Sequence, residues 1–143
     1  MQLSKYPRVK LIHSPTPLEH LVNLTKKLGG PEIYIKRDDC TGLAFGGNKS
    51  RKLEFLIGDA LDKNADVVIT AGAVQSNHCR QTAAAATKFG LKCIIVARPS
   101  WSKDYNGNIF LDELLGAELV LIDEDGEALD KGGTLSMDDT INN

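Results

Sequence analysis

Lys49 stands in the stretch Gly46-Gly47-Asn48-Lys49-Ser50-Arg51-Lys52, between a predicted strand and a predicted amphipathic helix. An amine at the mouth of a helix, behind two flexible glycines, suits covalent capture of an aldehyde. Lysine becomes a good nucleophile when nearby positive charge and desolvation lower its pKa. Arg51, Lys52 and the positive end of the following helix are the groups that could supply that field. For a lysine taken alone, a solvated basic helix start is the plainer reading.

A second stretch, Gln75-Ser76-Asn77-His78-Cys79-Arg80-Gln81-Thr82, follows a predicted buried strand. Ser76 is a good N-cap, and that is its structural role. The same geometry can serve a ligand. The free backbone N–H groups of a helix start, with hydroxyl and amide side chains, make a receptor for a carboxylate or phosphate. Lys49 one βα unit earlier turns this weak signal into a candidate site.

Rival chemistries fit less well. A nucleotide P-loop needs G-x-x-x-x-G followed directly by Lys and Ser or Thr. Gly42-Leu43-Ala44-Phe45-Gly46-Gly47 fits the frame, but Asn48 intervenes before Lys49-Ser50, and no strong apolar strand leads into it. The dinucleotide fingerprint G-x-G-x-x-G does not occur. His13, His20 and His78 form no HxxxH pattern, and Cys40, Cys79 and Cys93 no CxxC, so no metal site is expected. Three cysteines without paired spacing also argue against a disulfide framework and fit a reducing compartment.

The elements that must position these residues alternate. Thr16-Pro17-Leu18-Glu19 predicts a helix start, with Thr16 as N-cap, Pro17 at the first position and Glu19 closing a capping box. Leu18, Leu21, Val22 and Leu28 mark its face and Gly29-Gly30 its end. Residues 33–37 read as a strand and residues 38–47 as a loop. From Ser50 a helix runs through Leu53, Leu56, Ile57, Ala60 and Leu61 to a stop at Asn64. Residues 67–71 form an apolar strand of the kind buried on both faces of a parallel sheet, ending in a turn at Gly72. An alanine-rich helix ending at Phe89-Gly90 leads to a strand over 93–97. Asn106-Gly107-Asn108 then precedes a helix through Leu111, Leu114 and Leu115, stopped by Gly116, and residues 118–122 form another strand. The class is α/β: an open, mostly parallel sheet with flanking helices and right-handed crossovers. Such sheets bind ligands at the carboxyl ends of their strands, near which both Lys49 and Ser76 fall. A further helix is predicted over 126–131, broken by Gly132-Gly133-Thr134. The α/β rhythm then stops, which predicts a truncated or divergent end.

Composition bounds the partners. With 143 residues, 42% hydrophobic and 25% charged, the chain is an ordinary globular one of about one domain. A net charge of −2 gives no electrostatic reason to expect nucleic acid or an anionic membrane. No apolar run is long enough to span a bilayer, and the N-terminus lacks a signal-peptide core, so the cytoplasm is the expected compartment, with an organelle as alternative.

Residues 33–39, then Gly46-Gly47-Asn48-Lys49 with residues 51–56, then residues 70–78, together resemble the D-cysteine desulfhydrase and 1-aminocyclopropane-1-carboxylate deaminase family. These are pyridoxal-phosphate (PLP) enzymes of fold type II, the tryptophan-synthase-β fold. The resemblance runs over about residues 6–123, and residues 76–82 are closer to the desulfhydrase branch. It implies that Lys49 forms the Schiff base with PLP and then serves as general base at the substrate Cα. It implies that Asn77 bonds the phenolic oxygen of the cofactor and that Lys52 approaches its phosphate. Ser76, with the backbone of Asn77 and His78, would hold the carboxylate of a small amino-acid substrate. It further implies that residues 1–52 are the N-terminal part of the large PLP-binding domain and 53–143 the small inserted domain, in an enzyme that is a homodimer when complete. D-Cysteine would give pyruvate, ammonia and hydrogen sulfide, and the cyclopropane substrate 2-oxobutanoate and ammonia. Family members are much longer, with the phosphate cradle and the pyridine-nitrogen partner in their later part. A reading of another class is therefore a non-catalytic fragment or interaction module that keeps the fold.

Overall fold

A computed structural model of the chain describes residues 2–98 and 106–122. Thr16, expected to cap a helix, is buried; its hydroxyl accepts a hydrogen bond from Arg51 Nη2 at 2.8 Å and its carbonyl accepts one from Lys36 Nζ. The residues that follow are extended. Strand β1 (Leu18–His20) pairs antiparallel with β2 (Tyr34–Lys36), placing Leu18 opposite Lys36 and His20 opposite Tyr34. The Leu21 N–H donates to the Ile33 carbonyl at 2.8 Å and the Arg37 N–H to the Pro17 carbonyl at 2.9 Å. Helix α1 (Val22–Leu28) therefore starts five residues after Pro17 rather than at it. Glu19 closes no capping box, because its carboxylate accepts two bonds from Arg37 Nη1 at 2.8 and 3.0 Å. Pairing with a strand distant in sequence has overridden a local capping signal. The predicted end holds: Gly29 takes the left-handed conformation, with φ of 63°.

Two short 3₁₀ turns, Asp38–Thr41 and Leu43–Phe45, carry the loop to α2 (Lys49–Asp62), which begins one residue before the predicted start. Leu53 and Ile57 bury its apolar face, while Leu56, expected on that face, stays exposed. Glu54 is buried as well. Its carboxylate accepts bonds from the Leu11 and Ile12 N–H groups at 3.0 and 3.2 Å and from Arg8 Nε at 2.8 Å. Burial opposes that charge, but the Leu11 N–H, Arg8 and the Ile12 N–H outweigh it and hold the carboxyl below its usual range. The N-terminal segment is thereby fastened to α2, and Leu11 and Ile12 join the same core as Leu53 and Ile57.

The main sheet is three parallel strands in the order β3 (Val67–Ala73), β4 (Lys92–Arg98), β5 (Glu118–Leu121). Helices α3 (Asn77–Lys88) and α4 (Gly107–Leu114) make the crossovers. The alternating, mostly parallel architecture is as the sequence pattern predicts. One detail differs: β3 is not buried on both faces. Among the described residues it pairs only with β4, and Ile69 is 65% exposed. The core lies on the side of Cys93, Ile95, Ala97 and Leu119, under α3. The Gly72 turn is also displaced, since Gly72 is still in β3. A side chain there would place its Cβ 2.7 Å from Cys79 Sγ, so the close approach of strand and helix requires glycine. The helix predicted over 126–131 and the end beyond it lie outside the described residues. No helix among the described residues is long and apolar enough to cross a membrane.

Candidate functional site

Lys49 opens α2 and Ser76 caps α3, so the two stretches singled out by sequence meet where two helix N-termini converge beyond the carboxyl end of β3. The loop before Lys49 is held from within. The Gly47 N–H donates to the Asp38 carbonyl and to Thr41 Oγ1, both at 2.8 Å, and Thr41 is fully buried. Lys49 is half-buried, and its Nζ lies 3.4 Å from Asn48 Oδ1.

The field around Lys49 differs in one respect from expectation. Arg51 is committed to Asp38, with Nη2 to Oδ1 at 2.7 Å and Nε to both oxygens at 3.1 Å. That pairing holds the Asp38 carboxyl below its ordinary range and cancels much of the cation that Arg51 was expected to lend. Lys52 and the two helix termini remain as sources of positive potential. His78 registers it. Burial first, then the charges of Lys49 and Lys52, push its imidazole below its ordinary pKa, and its Nε2 pairs with Thr70 Oγ1 at 2.8 Å. His78 thus enters the site as a neutral ring.

Ser76 performs the cap that its sequence position predicts: its Oγ accepts from the His78 N–H at 3.2 Å and from the Cys79 N–H at 3.4 Å. Its own hydroxyl proton is still available as a donor. The His78 N–H, expected to face a substrate carboxylate, is here engaged by that cap. Asn77 is exposed at the helix start, and its Oδ1 accepts from Arg80 Nη1 and from Asn108 Nδ2, both at 3.0 Å. An arginine can only donate, so this contact fixes which way the amide faces. Asn77 Nδ2 is left as the outward group, a donor.

The residues behind Asn77 were not evident from sequence. Arg80, 8% exposed, also donates to Asn108 Oδ1 at 2.8 Å and to the Gly46 carbonyl at 3.2 Å. Asn108 Nδ2 further donates to the Gln75 carbonyl at 2.8 Å, and Gln75 Oε1 accepts the Asn108 N–H at 2.8 Å. Gln81, fully buried, joins Ser50 to Asn77. A usable signal existed: Arg80 and Gln81 lie one turn after Asn77 and shortly before the run Ala83 to Ala86, on a helix whose buried half is small side chains. Nothing in the spacing announced Asn108.

Asp112 of α4 is buried near Arg80, and its Oδ1 has no partner among the described residues. Burial pushes its carboxyl up to about 7, with Arg80 pulling the other way. The thiols near it are raised by burial too, Cys93 to about 11, so Cys79 and Cys93 are packing groups rather than nucleophiles. The native state keeps the Asp112 proton to about pH 7, whereas the unfolded chain releases it near the ordinary 3.8. Between those limits the native state binds more protons, so its stability falls as pH rises through the window. Asp112→Asn is expected to flatten that fall and to leave the protein more stable at about pH 8, by on the order of 3 kcal/mol. Denaturant unfolding at about pH 5 and about pH 8 checks this, and equal pH slopes for the two proteins would overturn it.

Around the gap between the helices stand several donors and cations: the Lys49 and Lys52 amines, Asn77 Nδ2, the Ser76 hydroxyl and the Asn77 N–H, which the cap leaves open. That set fits an anionic ligand bearing an aldehyde, such as PLP. A group of three or more His, Cys, Asp or Glu placed to hold a metal ion is absent among the described residues.

Comparison with known proteins agrees with this chemistry. A protein of Pyrococcus horikoshii named as a candidate 1-aminocyclopropane-1-carboxylate deaminase is 52% identical over 121 residues, covering 85% of this chain and 36% of its own length. The D-cysteine desulfhydrase of Salmonella paratyphi B is 52% identical over 126 residues, covering 85% of this chain and 38% of its own. The crystal structure of an ACC deaminase homologue superposes with a TM-score of 0.78 at 52% identity, over 85% of this chain and 36% of that one. The chain thus spans a little over a third of the length of these relatives. The profile of one family covers residues 9–140, nearly all of the sequence that builds the two helix mouths and the sheet beneath them: the chain belongs to the pyridoxal-phosphate dependent enzymes.

Proposed function

We propose that this chain supplies the lysine-bearing part of a D-cysteine desulfhydrase, which converts D-cysteine to pyruvate, ammonia and hydrogen sulfide. The observation that carries the proposal is the convergence of Lys49 with Asn77, whose amide is turned donor-outward by Arg80 and Asn108. PLP, when bound, supplies the electron sink that makes bonds at the substrate Cα and Cβ labile. The residues of the chain do the rest. The Lys49 amine would hold the aldehyde and, when free, would take the proton from the substrate Cα. Asn77 Nδ2 would donate to the phenolic oxygen of the ring, and Lys52 would add positive charge toward the phosphate. The Ser76 hydroxyl and the Asn77 N–H, which the cap leaves open, would receive the substrate carboxylate.

A second reading is 1-aminocyclopropane-1-carboxylate deaminase, which gives 2-oxobutanoate and ammonia. The relative and the solved structure that carry that name are as similar in sequence as the desulfhydrase, at 52%. A fragment without catalysis is the third. Borohydride reduction after addition of PLP, followed by peptide mapping, is expected to place the adduct on Lys49; a folded sample without it would favour the non-catalytic reading. In the complete protein that carries this chain, sulfide release from D-cysteine is expected to exceed 2-oxobutanoate release from the cyclopropane. The reverse ratio would move the assignment to the deaminase.

A further inference from the structure

We propose that Gln81 is a positioning residue that sets the separation of Lys49 and Asn77, a role that rests on the PLP reading above. Gln81 lies one turn into α3 and is 0% exposed, and its carboxamide is bonded at both ends. Its Oε1 accepts from the Ser50 N–H at 2.9 Å and from the Ser50 hydroxyl at 2.7 Å. Its Nε2 donates to the Asn77 carbonyl at 3.0 Å. Ser50 is the residue after Lys49, and Asn77 is the first residue of α3. One planar amide therefore ties the first turn of one helix to the first turn of the other.

The glycine loop presses on the same group. A side chain at Gly47, where φ is 133°, would put its Cβ 2.5 Å from Gln81 Nε2. Three elements thus close on one carboxamide: the loop before Lys49, the start of α2 and the start of α3. If holding the helices together were its whole task, an apolar side chain of the same volume would serve. A buried amide bonded at both its oxygen and its nitrogen instead favours one arrangement of its neighbours over others. The aldehyde and the phenolic oxygen of PLP are borne on adjacent ring atoms, so Lys49 and Asn77 must reach neighbouring points on one small molecule. Their spacing is the quantity that Gln81 fixes.

The test uses the complete protein that carries this chain, with PLP itself as probe. Gln81→Met keeps the volume and removes both arms of the link; Ser50→Ala removes only the hydroxyl arm. Gln81→Met is expected to retain its circular dichroism spectrum but to bind PLP about tenfold or more weakly. Misplacement of reacting groups also predicts a fall in kcat on the order of 100-fold, with KM moving less. The pH at which the visible band of bound PLP changes is expected to shift, and Ser50→Ala to shift it the same way by less. A purely structural residue would not move that titration. A folded Gln81→Met protein with wild-type PLP affinity and an unshifted band would overturn the proposal. Should Gln81→Met not fold, an unshifted band in Ser50→Ala overturns it. Failure of the wild-type protein to take PLP on Lys49 would instead overturn the functional reading, and the role of Gln81 with it.

Discussion

Lys49→Ala is expected to abolish turnover in the complete protein, lowering kcat by at least ~10³-fold, since the substitution removes both the covalent anchor and the base at Cα. The expectation follows from position. Lys49 is the first residue of α2, its loop is fixed by Gly47 and Thr41, and the neutral His78 beside it does not carry a competing charge at neutral pH. The fold should be unaffected, because the Lys49 amine makes only a 3.4 Å contact with Asn48 and supports no core residue. The visible band of bound PLP should disappear with the activity. A rate within a few-fold of wild type, measured by sulfide or oxo-acid release, would sink the assignment of Lys49.

Arg80→Met is expected to cost both stability and cofactor affinity. Its guanidinium serves Asn77, Asn108 and the Gly46 carbonyl, and its removal leaves Asn108 Oδ1 and the Gly46 carbonyl without that donor, while Asn77 Oδ1 keeps Asn108 Nδ2. Each buried acceptor so stranded costs about 1–3 kcal/mol. Part of that loss is offset, since Arg80 is itself buried with Nε unpartnered and its desolvation is relieved. A net loss of roughly 2–4 kcal/mol in denaturant unfolding follows. Asn77 Oδ1 would then be held by Asn108 Nδ2 alone, loosening the amide that presents Nδ2 toward the phenolic oxygen of PLP. Arg80→Lys should recover little, because a single ammonium cannot span the three acceptors as the fork does. Wild-type stability together with wild-type PLP affinity in Arg80→Met would refute this account.

The parts of the fold that sequence revealed are those whose signal is local and repeated. Helix α2, the Ser76 cap, the stops at Gly29 and Gly116 and the strands β4 and β5 each announce themselves within a few residues. Thr16 shows where this fails. Its capping-box pattern is sound chemistry, but Arg51 and Lys36, which claim its hydroxyl and carbonyl, are 35 and 20 positions away. The apolar run of β3 predicts burial on both faces, while its face depends on partners that the run does not name. The site divides the same way. Lys49, Ser76 and Asn77 stand in short motifs, and family resemblance gave each a role. Their supports did not, because Gln81 to Ser50 and Arg80 to Asn108 are joined across 31 and 28 positions. Arg51 is the instructive case: sequence gave it to Lys49, and folding gave it to Asp38.

Helix α3 carries Asn77, Arg80 and Gln81 on its first turns and then, after Thr82, Ala83, Ala84, Ala85 and Ala86, four alanines that are all buried. Methyl groups let α2, α4 and the sheet close around that half of the helix with little side-chain volume between them. The helix is then a rod gripped along its shaft with its working tip protruding from the vice. An added ethyl or isopropyl group in the alanine run cannot be absorbed by a rotamer change, so it must swing the rod, and a swing is magnified at the tip. Substitutions two or three turns from any ligand atom would accordingly announce themselves in the chemistry of the site.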